Sequence, residues 1–194
     1  MIIKSLEIFS QNVQKNKLLT NSILKNNKNY NIILIQEPPW SNIWQISSTL
    51  SQEGDNLIGA PYYPSWTLFV RNSDTENDYP RVAIYVNTRL SKLQFFIQKD
   101  IFNHWDINLI SFFNHSSMHF LLNVYSNSQQ SALKHLKDTE VNLNNVIIIT
   151  GDFNICDSDW DPSYSHYSIH ADTLHKISDS LSLELSIPIN SVPI

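Results

Sequence analysis

The stretch Asn31-Ile32-Ile33-Leu34-Ile35-Gln36-Glu37-Pro38-Pro39-Trp40, NIILIQEPPW, decides how the chain folds. Its apolar run is continuous rather than alternating, which suits a strand covered on both faces. The two prolines that follow have no amide hydrogen to give a ladder and stop the strand abruptly. Upstream, residues 6–13 read as a strand that ends in polar residues. Residues 15–28 carry Leu18, Leu19, Ile23 and Leu24 at helical spacing. Strand, helix and strand in that order make a β-α-β opening.

Downstream lies a loop-rich stretch to residue 65, then short strand-like runs at 66–70, 81–87, 93–97, 106–113 and 119–125. The polar segment NSDTENDY, residues 72–79, reads as a turn between two of them. Consecutive strands without intervening helices imply an antiparallel, hairpin-connected block. Residues 128–143, with Ala132, Leu133, Leu136 and Val141, read as a helix leading into a strand at 146–150. Residues 171–183, with Leu174, Ile177 and Leu181 on one side, read as another helix. The expected fold class is α/β: a four-layer sandwich of two sheets packed face to face, one opened by β-α-β and one of hairpins, with helices outside. One domain covers residues 1–194. Its ending, IPINSVPI at 187–194, places apolar residues around two prolines with nothing polar to close the domain. The expectation is a domain lacking its final strands.

Composition narrows the function classes. The chain has 194 residues, 42% hydrophobic and 16% charged, which is globular and long enough for a substantial core. A net charge of -5 leaves no broad basic surface, which argues against a pure DNA-binding module. It does not argue against a nuclease, which holds a few phosphates with a local patch and a metal. Cys156 is the single cysteine, so no intrachain disulfide forms and a reducing compartment is the easier fit. No apolar run reaches transmembrane length, and the start lacks a signal-peptide core. An intracellular protein with no membrane partner is expected, with access to the nucleus if it acts there.

Three strand ends carry acids or amides: Asn12, Glu37, and Asp152 with Asn154 in IIITGDFN, residues 147–154. In open sheets, ligands collect at the carboxyl ends of strands, so wide sequence separation is no obstacle. Gly151 is expected to let the chain turn sharply and to keep space free beside the strand end. Asp152 and Asn154, two apart in extended geometry, then face one pocket. A hard divalent cation wants oxygen ligands, which Glu37 and the Asn12 amide supply. Asp152 can take a proton from an attacking water, Asn154 can bind that water or a phosphate oxygen, and Tyr125 offers a phenol to the same phosphate. Each residue alone has a plainer reading. Asp-x-Asn after a strand is more often an Asx-turn or helix N-cap, Glu37 a solvated strand end, and Tyr125 a core residue with its hydroxyl at the surface. Asn12 alone says little in an asparagine-rich chain.

The order SQNVQKN, IILIQEPPW, LLNVYSN and IIITGDFN, each at an apolar strand, resembles the endonuclease/exonuclease/phosphatase superfamily. Within it, the chain is similar to the endonuclease domains of fungal non-LTR retrotransposons. RVAIYVN at 81–87 and CDSDWDP at 156–162, followed by His166, His170 and ADTL at 171–174, carry that finer likeness. The resemblance implies that Asn12 and Glu37 bind Mg²⁺ or Mn²⁺ and that Asp152 and Asn154 activate and orient the water. It also brings Tyr125 to the scissile phosphate. It implies DNA as substrate, nicked to prime reverse transcription, and a reverse transcriptase domain as partner in the full-length element. Arg81 and Trp160 are candidate DNA contacts, although a surface arginine and a loop-pinning tryptophan explain them as well. The family's Ser-Asp-His triplet does not occur in the chain, and His175, in a predicted helix, does not match it. A non-catalytic remnant, and a phosphomonoesterase or phosphodiesterase of the same fold, therefore stand as alternatives.

Overall fold

The computed structural model describes residues 5–40, 46–47, 56–57, 63–71, 79–139, 143–160, 163–165 and 168–184. Residues 72–78 of the expected turn at 72–79, Val141 of the expected helix, Asp161, Pro162, His166 and the 187–194 ending lie outside them.

Strand β1 (Ile8–Asn12) leads through helix α1 (Lys17–Asn26) to β2 (Ile32–Gln36), and the two strands pair in parallel. A two-residue ladder, β3 (Ile46–Ser47) with β4 (Asn56–Leu57), stands apart as its own small sheet. Strands β5 (Trp66–Phe69) and β6 (Val82–Asn87) join the first sheet antiparallel, giving the order β1-β2-β6-β5. The second sheet begins as an antiparallel meander of β7 (Phe95–Ile97), β8 (Ile107–Asn114) and β9 (Ser117–Tyr125). It then crosses through α2 (Ser131–Asp138) to β10 (Val146–Asp152), parallel to β9, giving β10-β9-β8-β7. Helix α3 (Ile169–Ser180) follows, beginning two residues before the expected span of 171–183 and so including His170. The sheets differ from expectation in one respect. Both are mixed, because the hairpin strands divide between them and each sheet contains its own β-α-β unit.

The layers follow from strand periodicity, since alternate residues face opposite sides of a sheet. Ile33 and Ile35 face outward and pack with Ile23 and Leu24 of α1, while Ile32 and Leu34 face inward with Ile84, Ile110, Leu121 and Ile148. On the far side, Leu122, Val124, Ile107 and Leu109 pack under Ala132, Leu133 and Leu136 of α2 and Ile177 of α3. Helix, sheet, sheet and helices make the four-layer sandwich. Burying both faces of β2 explains its unbroken apolar run, at about 1.5–3 kcal/mol per side chain. The N-cap of α1 is Asn16, whose Oδ1 accepts the Leu19 N–H at 3.0 Å.

The interior is graded along the strands. On the inner face β1 reads Ile8, Ser10, Asn12; β2 reads Ile32, Leu34, Gln36; β9 reads Leu121, Asn123, Tyr125; β10 reads Ile148, Thr150, Asp152. Each runs from apolar through polar toward its carboxyl end. In the polar layer Gln36 Nε2 donates to Asn123 Oδ1 at 2.6 Å and to Ser10 Oγ at 3.2 Å. The Asn123 amide donates onward to the carbonyls of Ile35 (3.1 Å) and Ala83 (3.0 Å). Asn108 in β8 donates to the Phe69 carbonyl of β5 at 2.9 Å, and Thr150 Oγ1 lies 2.9 Å from Ser10 Oγ. All of these except the Gln36–Ser10 bond, which lies within the first sheet, stitch one sheet to the other. No helix among the described residues is long and apolar enough to cross a membrane.

Candidate active site

The carboxyl ends of β1, β2, β9 and β10 lie at one end of the sandwich. There the Asn12 side chain meets residues far away in sequence. Its Nδ2 donates to Glu37 Oε2 at 3.1 Å and also to Asp152 Oδ2, across 25 and 140 positions respectively. Its Oδ1 accepts the Gln14 N–H at 2.8 Å. Glu37 follows β2 with a left-handed φ of 49°, and Asn154 follows β10 with a left-handed φ of 50°. Non-glycine residues adopt this conformation at a cost that surrounding bonds must offset. Glu37 is held by its N–H on the Arg81 carbonyl and its carbonyl on the Lys15 N–H, each at 2.8 Å. Asn154 is held by its N–H on Asp152 Oδ1 (3.1 Å) and its amide on the Ser126 carbonyl (2.7 Å). Gln130 Nε2 adds bonds to the Phe153 and Asn154 carbonyls.

Because β6 and β8 run antiparallel to β2 and β9, their starts reach the same end. Arg81, just before β6, grips Asp106, just before β8, with Nε on Oδ1 at 2.7 Å and Nη2 on Oδ2. The guanidinium carbon lies 4.5 Å from the centroid of the Tyr125 ring, a cation–π arrangement. Burial works against the Arg81 charge, but hydrogen bonding and the charge of Asp106 outweigh it and raise the pKa above its ordinary value. Asp106 is 1% exposed, so the pair is a buried acid whose charge is met by a half-open cation. The Tyr125 phenol is also raised, first by burial and then by the negative charge of Glu37, which keeps it a proton donor. Behind Asp106, His104 Nδ1 accepts the Asp106 N–H at 3.2 Å, which puts any ring proton of the neutral form on Nε2.

Asn12, Glu37, Tyr125 and Asp152 are thus brought together, with Asn154 and Arg81 beside them. Two expectations need correction. Gly151 lies inside β10 and makes no turn. It is glycine because a Cβ there would stand 1.9 Å from the Val124 carbonyl oxygen on the neighbouring strand. The Asp152–Asn154 segment is not extended, since Asn154 is left-handed and its N–H closes an Asx-type turn on Asp152. Trp160 is occupied internally: its N–H donates to the Ile155 carbonyl at 3.0 Å and its ring packs 5.8 Å from that of His175. Around it Asp157, Asp159 and His175 offer ligand atoms within 4.8 Å of one another, with Asp159 Oδ2 3.0 Å from His175 Nε2. That group closes the loop after β10 onto α3.

Sequence reasoning missed Asp106, Gln36 and Asn123. A signal existed for each. Asp106 is a lone acid directly before an apolar strand, and Gln36 and Asn123 fall on the inward parity of apolar strands. The asparagine-rich composition hid the last.

The donor set suits a hard divalent cation. Two carboxylates converge on one amide, an arrangement in which opposite charge is wanted, and the oxygens of Glu37 and Asp152 are hard ligands, while Asn12 Oδ1 accepts the Gln14 N–H.

The Endonuclease/Exonuclease/phosphatase family pattern matches residues 9–170, and the chain belongs to that family. The fold is similar to the endonuclease domain of TRAS1, a telomere-specific non-LTR retrotransposon. The TM-score is 0.56 at 18% identity over 90% of this chain and 71% of that one. It is also similar to an endonuclease/exonuclease/phosphatase family protein from Leptotrichia buccalis, with a TM-score of 0.52 at 14% identity over 90% of this chain and 73% of that one. Beta toxin from Staphylococcus aureus, solved with bound magnesium ions, aligns more loosely, with a TM-score of 0.41 at 11% identity over 90% of this chain and 70% of that one. No curated protein matches by sequence.

Proposed function

We propose, from membership of this family of phosphate-ester hydrolases, that the chain is a divalent-cation-dependent DNA endonuclease of the retrotransposon kind. In this reading it nicks one strand of target DNA so that the freed 3′ hydroxyl primes reverse transcription. One observation carries the reading: the Asn12 amide touching Glu37 and Asp152 at once, from three separate strands. The RVAIYVN and CDSDWDP segments supply the retrotransposon part, and the TRAS1 domain among the fold's neighbours agrees with it.

Asn12 and Glu37 would hold Mg²⁺ or Mn²⁺, whose chemistry there is charge neutralisation at the phosphate and the leaving oxygen. Asp152 is anchored by Asn12 on Oδ2 and by the Asn154 N–H on Oδ1, which fixes the carboxylate while each oxygen keeps a free lone pair. It accepts the proton of the attacking water. Asn154 Nδ2 donates to the Ser126 carbonyl, which holds the side chain while its Oδ1 accepts from that water. Tyr125, kept protonated, donates to a phosphate oxygen, and Arg81 above its ring adds positive charge at the same edge.

Supercoiled plasmid incubated with Mg²⁺ tests this directly. Conversion to the nicked circle, abolished by EDTA, is expected. If a phosphomonoester or lipid-headgroup substrate is hydrolysed while plasmid stays supercoiled, the substrate class is wrong. If nothing is hydrolysed, the domain is a non-catalytic remnant.

A further inference from the structure

Beside Glu37 a cavity of about 520 Å³ opens, lined by Pro38, Pro39, Trp40, Tyr79 and Trp105, with Lys15, Arg81 and Glu37 also on its wall. Its size is that of a small-ligand site. Three aromatic rings and two cations meet here, directly against the acid cluster, and the mechanism above uses none of the rings. Another cavity, of about 510 Å³, lies under α2 and α3 and contains no residue of the candidate active site.

We propose that the cavity beside Glu37 is a nucleobase subsite that receives one unpaired base of the substrate strand. The base stacks on Trp105 and Tyr79, and the adjoining phosphate meets Lys15 and Arg81. Four observations support this. First, the rings and cations match the two halves of a nucleotide, a π-face and an anion. Second, Arg81 spends Nε and Nη2 on Asp106, while Nη1 has no hydrogen-bond partner among the described residues and keeps its donors for a phosphate. Third, the net charge of -5 leaves little general attraction for DNA, so contacts that salt does not screen, of which stacking is one, add to the few local cations. Fourth, a base inside a duplex shows only its edges, so walls made of rings select a base that has left the stack. The substrate class is therefore DNA with an unpaired or readily unstacked nucleotide next to the scissile phosphate. Tyr79, 48% exposed at the rim, can be removed without touching the core.

This rests on the endonuclease reading only for the identity of the substrate, and the test separates the two. The probe is 2-aminopurine deoxynucleoside monophosphate, whose fluorescence is quenched on stacking, titrated into the full chain in EDTA, with inorganic phosphate as competitor. Saturable quenching that millimolar phosphate alone does not reverse is expected. Trp105→Ala and Tyr79→Ala should each weaken it about tenfold, and Trp105→Phe should restore most of the loss. Circular dichroism melts check that the variants fold, and Tyr79→Ala serves if Trp105→Ala does not. Binding that phosphate reverses completely, or that survives both ring deletions, overturns the subsite. Plasmid nicking with unchanged nucleotide affinity in both variants sinks the subsite and leaves the endonuclease standing. Nucleotide binding here without any nicking does the opposite.

Discussion

The two β-α-β units, β1-α1-β2 and β9-α2-β10, invite comparison because each closes one sheet and each delivers side chains to the same end. In both, the strand after the helix is followed by a left-handed, non-glycine residue, Glu37 in one and Asn154 in the other. In both, a bond from just before the helix holds that residue's carbonyl: the Lys15 N–H for Glu37 and Gln130 Nε2 for Asn154. The helix entries differ. Asn16 caps α1 with its own side chain, whereas Gln130 makes no side-chain cap on α2 and holds the loop after β10 instead. The first unit ends in an amide and an acid, the pair proposed above to hold a cation. The second ends in a phenol, an acid and an amide, the set proposed above to move a proton. One scaffold used twice presents two different sets of side chains because the residues at the carboxyl ends of its strands differ.

The largest expected effect comes from setting those tools against each other. Asp152→Ala should lower nicking about a hundredfold to ten-thousandfold at saturating Mg²⁺, because it removes the proton acceptor. Glu37→Gln should instead raise the Mg²⁺ concentration needed for half-maximal rate, with Mn²⁺ recovering part of the activity. If both variants show the same profile against Mg²⁺, the division of labour between the units is wrong.

Next in size is Gly151→Ala, which forces a Cβ against the Val124 carbonyl inside the second unit. A loss of about 1–3 kcal/mol in denaturant unfolding is expected. The equivalent β2 position, Ile35, already carries a large side chain, so the first unit has no such weak point. An unchanged midpoint for Gly151→Ala would mean that β9 and β10 can separate freely.

Gln36→Leu should cost about 1–3 kcal/mol by leaving Asn123 Oδ1 buried without its donor. Adding Asn123→Leu should cost less than the sum of the two single changes, because both partners of one bond are then gone. Strict additivity would show that the two units are not joined through this pair.

The smallest effect concerns pH. Burial lowers the His104 pKa, so the fold keeps the ring neutral where the unfolded chain takes up a proton. Stability from this residue is full above about pH 6.5 and declines as pH falls from there toward the folded value. In His104→Asn, whose Oδ1 can still accept the Asp106 N–H, the decline of Tm with acid should be shallower. A steeper decline would contradict the neutral assignment.

How far the sequence foretold this molecule follows from what each residue faces. β2 was legible because burial on both faces leaves nothing but apolar side chains. Glu37 and Asp152 were legible as acids at strand ends. The division of hairpin strands between two sheets was not, since local patterns specify a strand but not its partners. Nor was the reason for Gly151, which concerns a neighbouring strand rather than its own conformation. Arg81 was legible as a cation, but its anchor Asp106 lies 25 positions away and is recognised only when β6 and β8 begin side by side.

The bonds from Gln36 and Asn123 also act as locating pins between two halves of a mould. An apolar layer resists pulling the sheets apart but scarcely resists sliding them, because burial has no direction. A slip of one strand period, about 6.6 Å along the chain, would keep much of the grease in contact and carry Asn12 away from Asp152. Machining tolerance at the end that carries Asn12, Glu37 and Asp152 is therefore set by a few polar contacts one layer below it. Substitutions there can leave a sound, well-packed protein whose two halves no longer line up.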